Sequence, residues 1–460
     1  MGLWDSLLRL WSTPATTAKN QARNPDGQRA VNADAPKTSA FAILVAPFYN
    51  DTTLSLTQSV AEAIGGRSGL IVQMASSPIG PVDDSEEVPV SLAAAVNKGR
   101  SLLESSDCQV LVWGEVIDGR ALRLRFLPRQ MEGEFASGEL LAGDSLDLPV
   151  PPGTTVDLAL GGALAALQLS TDHDRKHRLD RLRTAINAVD LVLQDGGIAW
   201  PVGGKVRAAI LYATMMSEMA YRTGHRPTLL RASEILRTCL APGSIESLSP
   251  ANRAAASLHY GDILSELSHG DTDETTLTNA VQSLRQAARF YQHKQLPEES
   301  AQVSVQLGRA LQRLSKRSNN TSHMKEGAQA FIMAAQVWTS VTRPDRWADL
   351  QTGIGSLLGQ VAEFSGNAEI AERAVMFFTA ATRIWSRDKD PRRWANVMNN
   401  IGAVRFAQGK RSGDVSQLRE ATECFSKALE IYTMVGMTRN IHVIQKNIAR
   451  VERLIASQSS

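Results

Sequence analysis

Proline recurs at a fixed interval in the second half of this chain: Pro250, Pro297, Pro344 and Pro391 stand 47 residues apart, and Thr438 falls on the next step. Four further columns keep that interval. They are Gly261, Gly308, Gly355, Gly402 and then Ala449; Leu284, Phe331, Phe378 and Phe425; Ala287, Ala334, Ala381 and Ala428; and Tyr291, Trp338, Trp385 and Tyr432. A period of this length means a supersecondary unit repeated in tandem, because one unit cannot bury its apolar face alone and must stack on the next. Each unit holds two amphipathic segments, for example 394–406 and 418–432, joined by polar stretches such as Ser318-Asn319-Asn320 and Arg411-Ser412-Gly413-Asp414. The spacing therefore predicts helical hairpins stacked into an α-solenoid. Proline suits the first helical turn, where its missing N–H has no partner to lose. The glycine column lets helices approach closely, and the aromatic column fills the wedge between units.

The pairs Leu307-Gly308, Ile354-Gly355 and Ile401-Gly402, followed by Ala374, Phe378, Ala381 and again by Ala421, Phe425, Ala428, resemble the tetratricopeptide repeat over residues 200–456. That family's unit is ~34 residues, so this is a long variant, with longer helices or longer loops taking up the difference. The resemblance implies that the first helix of each unit lines a concave groove that binds a partner protein or peptide. Positions beside the glycine column then face the groove: Gln302, Arg309, Gln312 and Arg313; Asp349, Ser356 and Gln360; Asn396 and Asn399. Lys446, Arg450 and Arg453 extend the line into a C-terminal cap over 438–456. Asn and Gln can clamp a peptide backbone and Arg holds carboxylates bidentately, so an acidic partner segment is expected. The alternative is that these are ordinary solvated helix faces.

Ahead of the repeats, 202–222 and 229–240 read as a degenerate unit and 176–193 as an unpaired helix before it. Further upstream, 41–48 (FAILVAPF) and 70–75 (LIVQMA) are apolar runs of strand length flanking a helical stretch, which is the βαβ pattern. A helix near 90–103 follows, then strands over 108–116 and 121–127 across an Asp118-Gly119 hairpin turn. Leu122, Leu124 and Phe126 alternate with Arg123, Arg125 and Leu127, predicting one buried and one mostly wet face. The stretch from ILVAPFYNDTT to LVWGEVIDGRALRLRF, 41–130, resembles the small αβ module of TolB-like proteins, which implies a recognition or regulatory role. Asn50 and Asp51 end the first strand, where a ligand would bind in an open α/β sheet, although turn chemistry also accounts for them.

The expected fold class is therefore α+β multidomain, a small αβ module followed by an all-α solenoid of tetratricopeptide type. Its parts are an amphipathic helix at 1–11, a flexible linker at 12–39, the αβ module at 40–150, a connecting helix within 151–170, and the solenoid with its cap at 171–460. Leu3, Trp4, Leu7, Leu8 and Trp11 share one side of the first helix, which is far short of a bilayer span. It is read as a peripheral membrane foot or as a helix docking on its own protein.

Chemistry is sparse. Lys and Arg number 49 against 47 Asp and Glu, giving +2 overall, so no chain-wide charge points to nucleic acid. Cys108, Cys239 and Cys424 are far apart, which argues against disulfides or zinc and fits a cytoplasmic protein. No phosphate-binding GxxxxGK[ST] loop occurs, and Gly65-Gly66-Arg67-Ser68-Gly69 follows a helix rather than a strand. His173 and His177 could share a metal but sit in a charged helix start. Gly143-Asp144-Ser145-Leu146 spells a hydrolase-like string without a histidine near it in sequence. No cofactor, metal or catalytic residue is expected. The function read from these residues is a non-enzymatic adaptor or scaffold; the alternative is a signalling or regulatory protein whose αβ module binds a small ligand.

Overall fold

The computed structural model describes residues 41–66, 70–129, 140–167, 172–269, 274–292 and 296–458. Phe41–Ser460 is one compact unit. Leu3, Trp4, Leu7, Leu8 and Trp11, with the linker behind them, lie outside the described residues.

The N-terminal part is a five-stranded sheet in the order β2-β1-β3-β4-β5. Its strands are β1 (Phe41–Val45), β2 (Leu70–Met74), β3 (Val110–Ile117), β4 (Ala121–Pro128) and β5 (Ser145–Pro149). β1 runs parallel to both β2 and β3, the two being joined through helices α1 (Ser55–Gly65) and α2 (Val90–Glu104), while β3, β4 and β5 are antiparallel. The β3–β4 hairpin turns on Asp118 and Gly119, both at positive φ, which matches the right-handed twist of the strands it joins. The pieces expected from the apolar runs are all present. β5 is an addition, since its five residues lie in a Pro-rich stretch that reads as a connector.

The face of β4 carrying Arg123 and Arg125 is not wet. Arg125 is 1% exposed and Asp147 on β5 is 2% exposed. The Arg123 guanidinium donates twice to Asp147, each at 2.8 Å, and both arginines pair with Asp84 from the loop before α2. The reason is pairing: β5 sets Asp147 directly opposite Arg123, so the charges can leave water together. Arg207 joins Asp147 from the helix that covers this edge.

After a 3-10 turn (Gly153–Val156) come α3 (Asp157–Ala166), α4 (Asp172–Gln194), α5 (Gly204–Thr223) and α6 (Arg226–Cys239). One sheet face shares a core with α1 and α3 to α6, through residues such as Ile43, Val112, Leu124, Leu158 and Leu211. The other face shares a core with α2 and with the first repeat helices, through Leu44, Leu111, Trp113, Leu258 and Leu284.

The repeat helices are α7 (Pro250–Leu267), α8 (Glu274–Tyr291), α9 (Pro297–Ser318), α10 (Thr321–Ala335), α11 (Pro344–Ser365), α12 (Ala368–Thr382), α13 (Pro391–Ser412), α14 (Val415–Met434) and α15 (Thr438–Gln458). Each packs chiefly on its neighbours in the chain, as stacked hairpins do, and no strand occurs among the described residues after β5. Every column proline opens a helix. The extra length of the unit goes into its first helix and into the connection between units: α9, α11 and α13 have 22 residues each, and residues 336–343 and 383–390 separate successive units. The turn inside the hairpins α9–α10, α11–α12 and α13–α14 is two residues. Asn319, Gly366 and Gly413 take the left-handed conformation, and Asn320, Asn367 and Asp414 cap the next helix through side-chain oxygens. The glycine column packs on the ring column of the same unit, since a Cβ would stand 2.7 Å from the ring of Phe331 at Gly308 and 2.8 Å from that of Phe425 at Gly402.

Candidate interaction site

The aromatic column is held by a repeated set of contacts. Trp338 Nε1 donates to Glu298 Oε2 at 2.7 Å, and Trp385 Nε1 to Asp345 Oδ1 at 2.8 Å. The guanidinium of Arg346, one unit further on, lies 4.6 Å from the centre of the Trp338 ring, and that of Arg393 lies 5.0 Å from Trp385. Each ring is thus tied to an acid of its own unit and covered by an arginine of the next, which fixes the stacking of successive units. Tyr432 donates instead to Asn396 Oδ1 at 2.7 Å, so Asn396 is engaged inside its unit.

Along the first helices of the repeat units, α9, α11 and α13 line an open pocket of about 290 Å3 together with the rings of Phe331 and Trp338. Arg309, Gln312 and Lys316 line it from α9, Arg346, Asp349, Thr352 and Ser356 from α11, and Asn400 from α13. Four of the positions expected in the groove, Arg309, Gln312, Asp349 and Ser356, are therefore brought together. Three cations face one carboxylate here. Arg309 and Lys316 form no ion pair among the described residues. Crowding by protein and repulsion from Arg313 both lower the Lys316 pKa. Lys316 was legible in principle, lying one turn beyond Gln312 on the same stripe.

The remaining expected residues lie outside this cavity. Arg313 donates to Ser265 O at 2.8 Å and pairs with Glu266 at 3.0 Å, tying α9 back to α7. Gln360 Oε1 accepts from Ser315 Oγ at 3.0 Å, and Gln302 is half-buried with no described partner for its Nε2. Asn399 is half-buried on α13, while Lys446, Arg450 and Arg453 are exposed on α15. Arg453 Nε is turned onto its own helix, at Ala449 O, 3.1 Å away.

The other sequence motifs resolve as structural ties. Asp51 Oδ2 accepts from the Thr57 N–H and hydroxyl, both at 2.7 Å, and Asn50 Nδ2 donates to Val116 O at 3.3 Å, so both side chains serve the turn. The hydrolase-like string does meet a histidine, because α7 delivers His259 Nε2 to within 3.0 Å of Asp144 Oδ2. That contact bypasses Ser145, whose hydroxyl bonds Asn252 at 3.3 Å beside a void of about 10 Å3, with no space for a substrate. Burial by itself would lower the His259 pKa; the Asp144 carboxylate in contact and Asp262 nearby outweigh it, and the pKa is raised. Tyr291, first of the aromatic column, stands fully buried against Gly143, where a Cβ would lie 2.1 Å from its hydroxyl. His173 and His177 fall in α4, with side chains outside the described part. Among the described residues no group of three His, Cys, Asp or Glu could hold a metal, and no helix is long and apolar enough to cross a membrane.

Fold and groove together define a repeat-type helical protein with a sheet built onto its first helices. No protein-family model matches the chain, and no curated sequence matches it. Among solved structures it is similar to BtubC (BKLC) from P. vanneervenii, at 14% identity and TM-score 0.36, over 58% of this chain and 93% of that one. It is also similar to the S. pombe nuclear import adaptor Nro1, at 12% identity and TM-score 0.33, over 56% and 88%. A circular tandem repeat protein follows at 14% identity and TM-score 0.22, over 66% and 86%. This is a distant structural resemblance to repeat-type helical proteins, and it assigns the chain to neither the tetratricopeptide nor the TolB-like family.

Proposed function

We propose that this protein is a non-enzymatic adaptor or scaffold that holds an acidic segment of another protein in the groove between α9 and α11. The observation that carries this reading is the cavity in which Arg309, Lys316 and Arg346 face the single carboxylate Asp349. Gln312, Thr352, Ser356 and Asn400 supply hydrogen-bonding groups for a peptide backbone beside it. Bidentate Arg–carboxylate contacts in a partly dry groove contribute ~1.5–3 kcal/mol each, whereas exposed pairs contribute ~1 kcal/mol or less and fade with salt. Calorimetric titration of the full chain with a poly-Glu peptide tests it. Arg309→Glu with Lys316→Glu is expected to weaken binding about 100-fold or more; unchanged affinity rejects the site.

The setting proposed is cytoplasmic, with Leu3, Trp4, Leu7, Leu8 and Trp11 forming a peripheral contact at the cytoplasmic face of a membrane. Its support is the Trp-bearing apolar side of the 1–11 segment, whose lack of a basic face makes the contact weak and reversible. In liposome sedimentation, Trp4→Glu/Leu8→Glu is expected to abolish partitioning, and equal partitioning of both chains rejects the contact.

A further inference from the structure

One stripe of α11 runs past two cavities. Asp349, Thr352 and Ser356 face the cationic cavity, and one turn on, Gly359 and Glu363 line a second cavity of about 450 Å3. Its other walls come from α13 and from the first turns of α12 and α14. Positions 349, 352, 356, 359 and 363 follow the helical period, while Arg346, Leu350 and Gly353 also line the first cavity and Ala362 the second, so the two cavities lie on adjoining faces of α11. Their centres are separated by about ten residues of α11, or ~15 Å at ~1.5 Å per residue. An extended chain covers that in about four to five residues at ~3.3 Å each.

The two cavities differ in chemistry. The floor of the second is made of small apolar residues, Gly359, Ala362, Ala371, Val404 and Ala407. The polar groups at its rim are largely engaged. Glu372 pairs with Arg405 and accepts from Gln408 at 3.1 Å, and Asp414 Oδ1 caps α14 by accepting from Ser416 N at 2.8 Å. Glu363, Glu372 and Asp414 outnumber Arg411, the one cation of this lining, which makes the second cavity unfavourable for another carboxylate, while its floor leaves room for a large apolar side chain.

We infer that the groove reads a two-part segment of a partner protein: a carboxylate seated among Arg309, Lys316 and Arg346, and a large apolar side chain, four to five residues along an extended chain, seated on Ala362, Ala371 and Ala407. This rests on the acidic-segment reading above and adds the second half of the recognition sequence. Charge complementarity fixes which half occupies which cavity. Burying the apolar side chain tightens binding ~10- to 100-fold.

The test uses the full chain and fluorescein-labelled Gly/Ser peptides carrying one Glu-Glu pair and a single Leu placed two to eight residues away, read by anisotropy. Affinity is expected to peak when Leu is four or five residues from the pair, at least ~10-fold tighter than the Glu-only peptide. Ala407→Trp, which plugs the second cavity, is expected to remove that gain and leave the Glu-only affinity unchanged, which also reports an intact fold. Ala407→Leu repeats the test with a smaller plug. Affinity independent of spacing, or a gain that survives both plugs, overturns the inference and leaves the acidic reading standing. A Glu-only peptide that binds no better than the uncharged control removes both.

Discussion

Replacing Trp385 by alanine asks whether the aromatic column holds the solenoid together. The side chain is 4% exposed, donates to Asp345 and lies under the Arg393 guanidinium. Truncating a buried Trp costs ~3–5 kcal/mol in lost contacts and residual cavity. The hydrogen bond adds at the low end of ~1.5–3 kcal/mol because Asp345 is partly exposed, and the cation–π contact ~0.5–1 kcal/mol. These overlap, so the expected total is ~3–5 kcal/mol. Trp385→Phe keeps a ring under Arg393 but loses the N–H, and should cost ~1–2 kcal/mol. Urea unfolding of the full chain measures the loss, and native-state hydrogen exchange locates it. Because stacked repeats interact with nearest neighbours, protection should fall first in α11 to α14. A loss under ~1 kcal/mol for Trp385→Ala, or one spread evenly over the chain, would refute the idea that each ring clamps two units.

A second expectation concerns pH. His259 has a raised folded pKa, so its contribution is fully present below the unfolded value of ~6.5 and is lost as pH rises through the folded pKa. The stability difference between the native chain and His259→Gln should therefore shrink as pH rises above the unfolded value of ~6.5; parallel urea midpoints across that rise would contradict it. In the glycine column, Gly402→Ala drives a Cβ into the Phe425 ring and should cost ~1–3 kcal/mol, measurable as a lowered urea midpoint. A stabilised variant, as helix propensity alone would give, would show that the close approach is not needed.

The 47-residue period determined the repeat architecture because the forces it reports are local. A proline at a first turn, a left-handed residue and a cap between two helices, and apolar faces at helical spacing each act within a few residues of their own position. Helix starts at Pro297, Pro344 and Pro391 and the buried Phe and Trp columns were accordingly legible, as were the βαβ start and the Asp118-Gly119 hairpin. What tertiary structure decided was the choice of partner for each polar group. Arg123 and Arg125 alternate with leucines as an exposed face would, yet Arg125 is buried and Arg123 half-buried because β5 and the Asp84 loop bring carboxylates over them. Arg313 and Lys316 are both cationic side chains on one helix, but Arg313 is engaged on α7 and Lys316 faces the groove. Asp144 meets a histidine 115 residues away. Such pairings depend on which elements the packed core sets side by side, and a charged side chain carries no mark of its partner in the residues next to it.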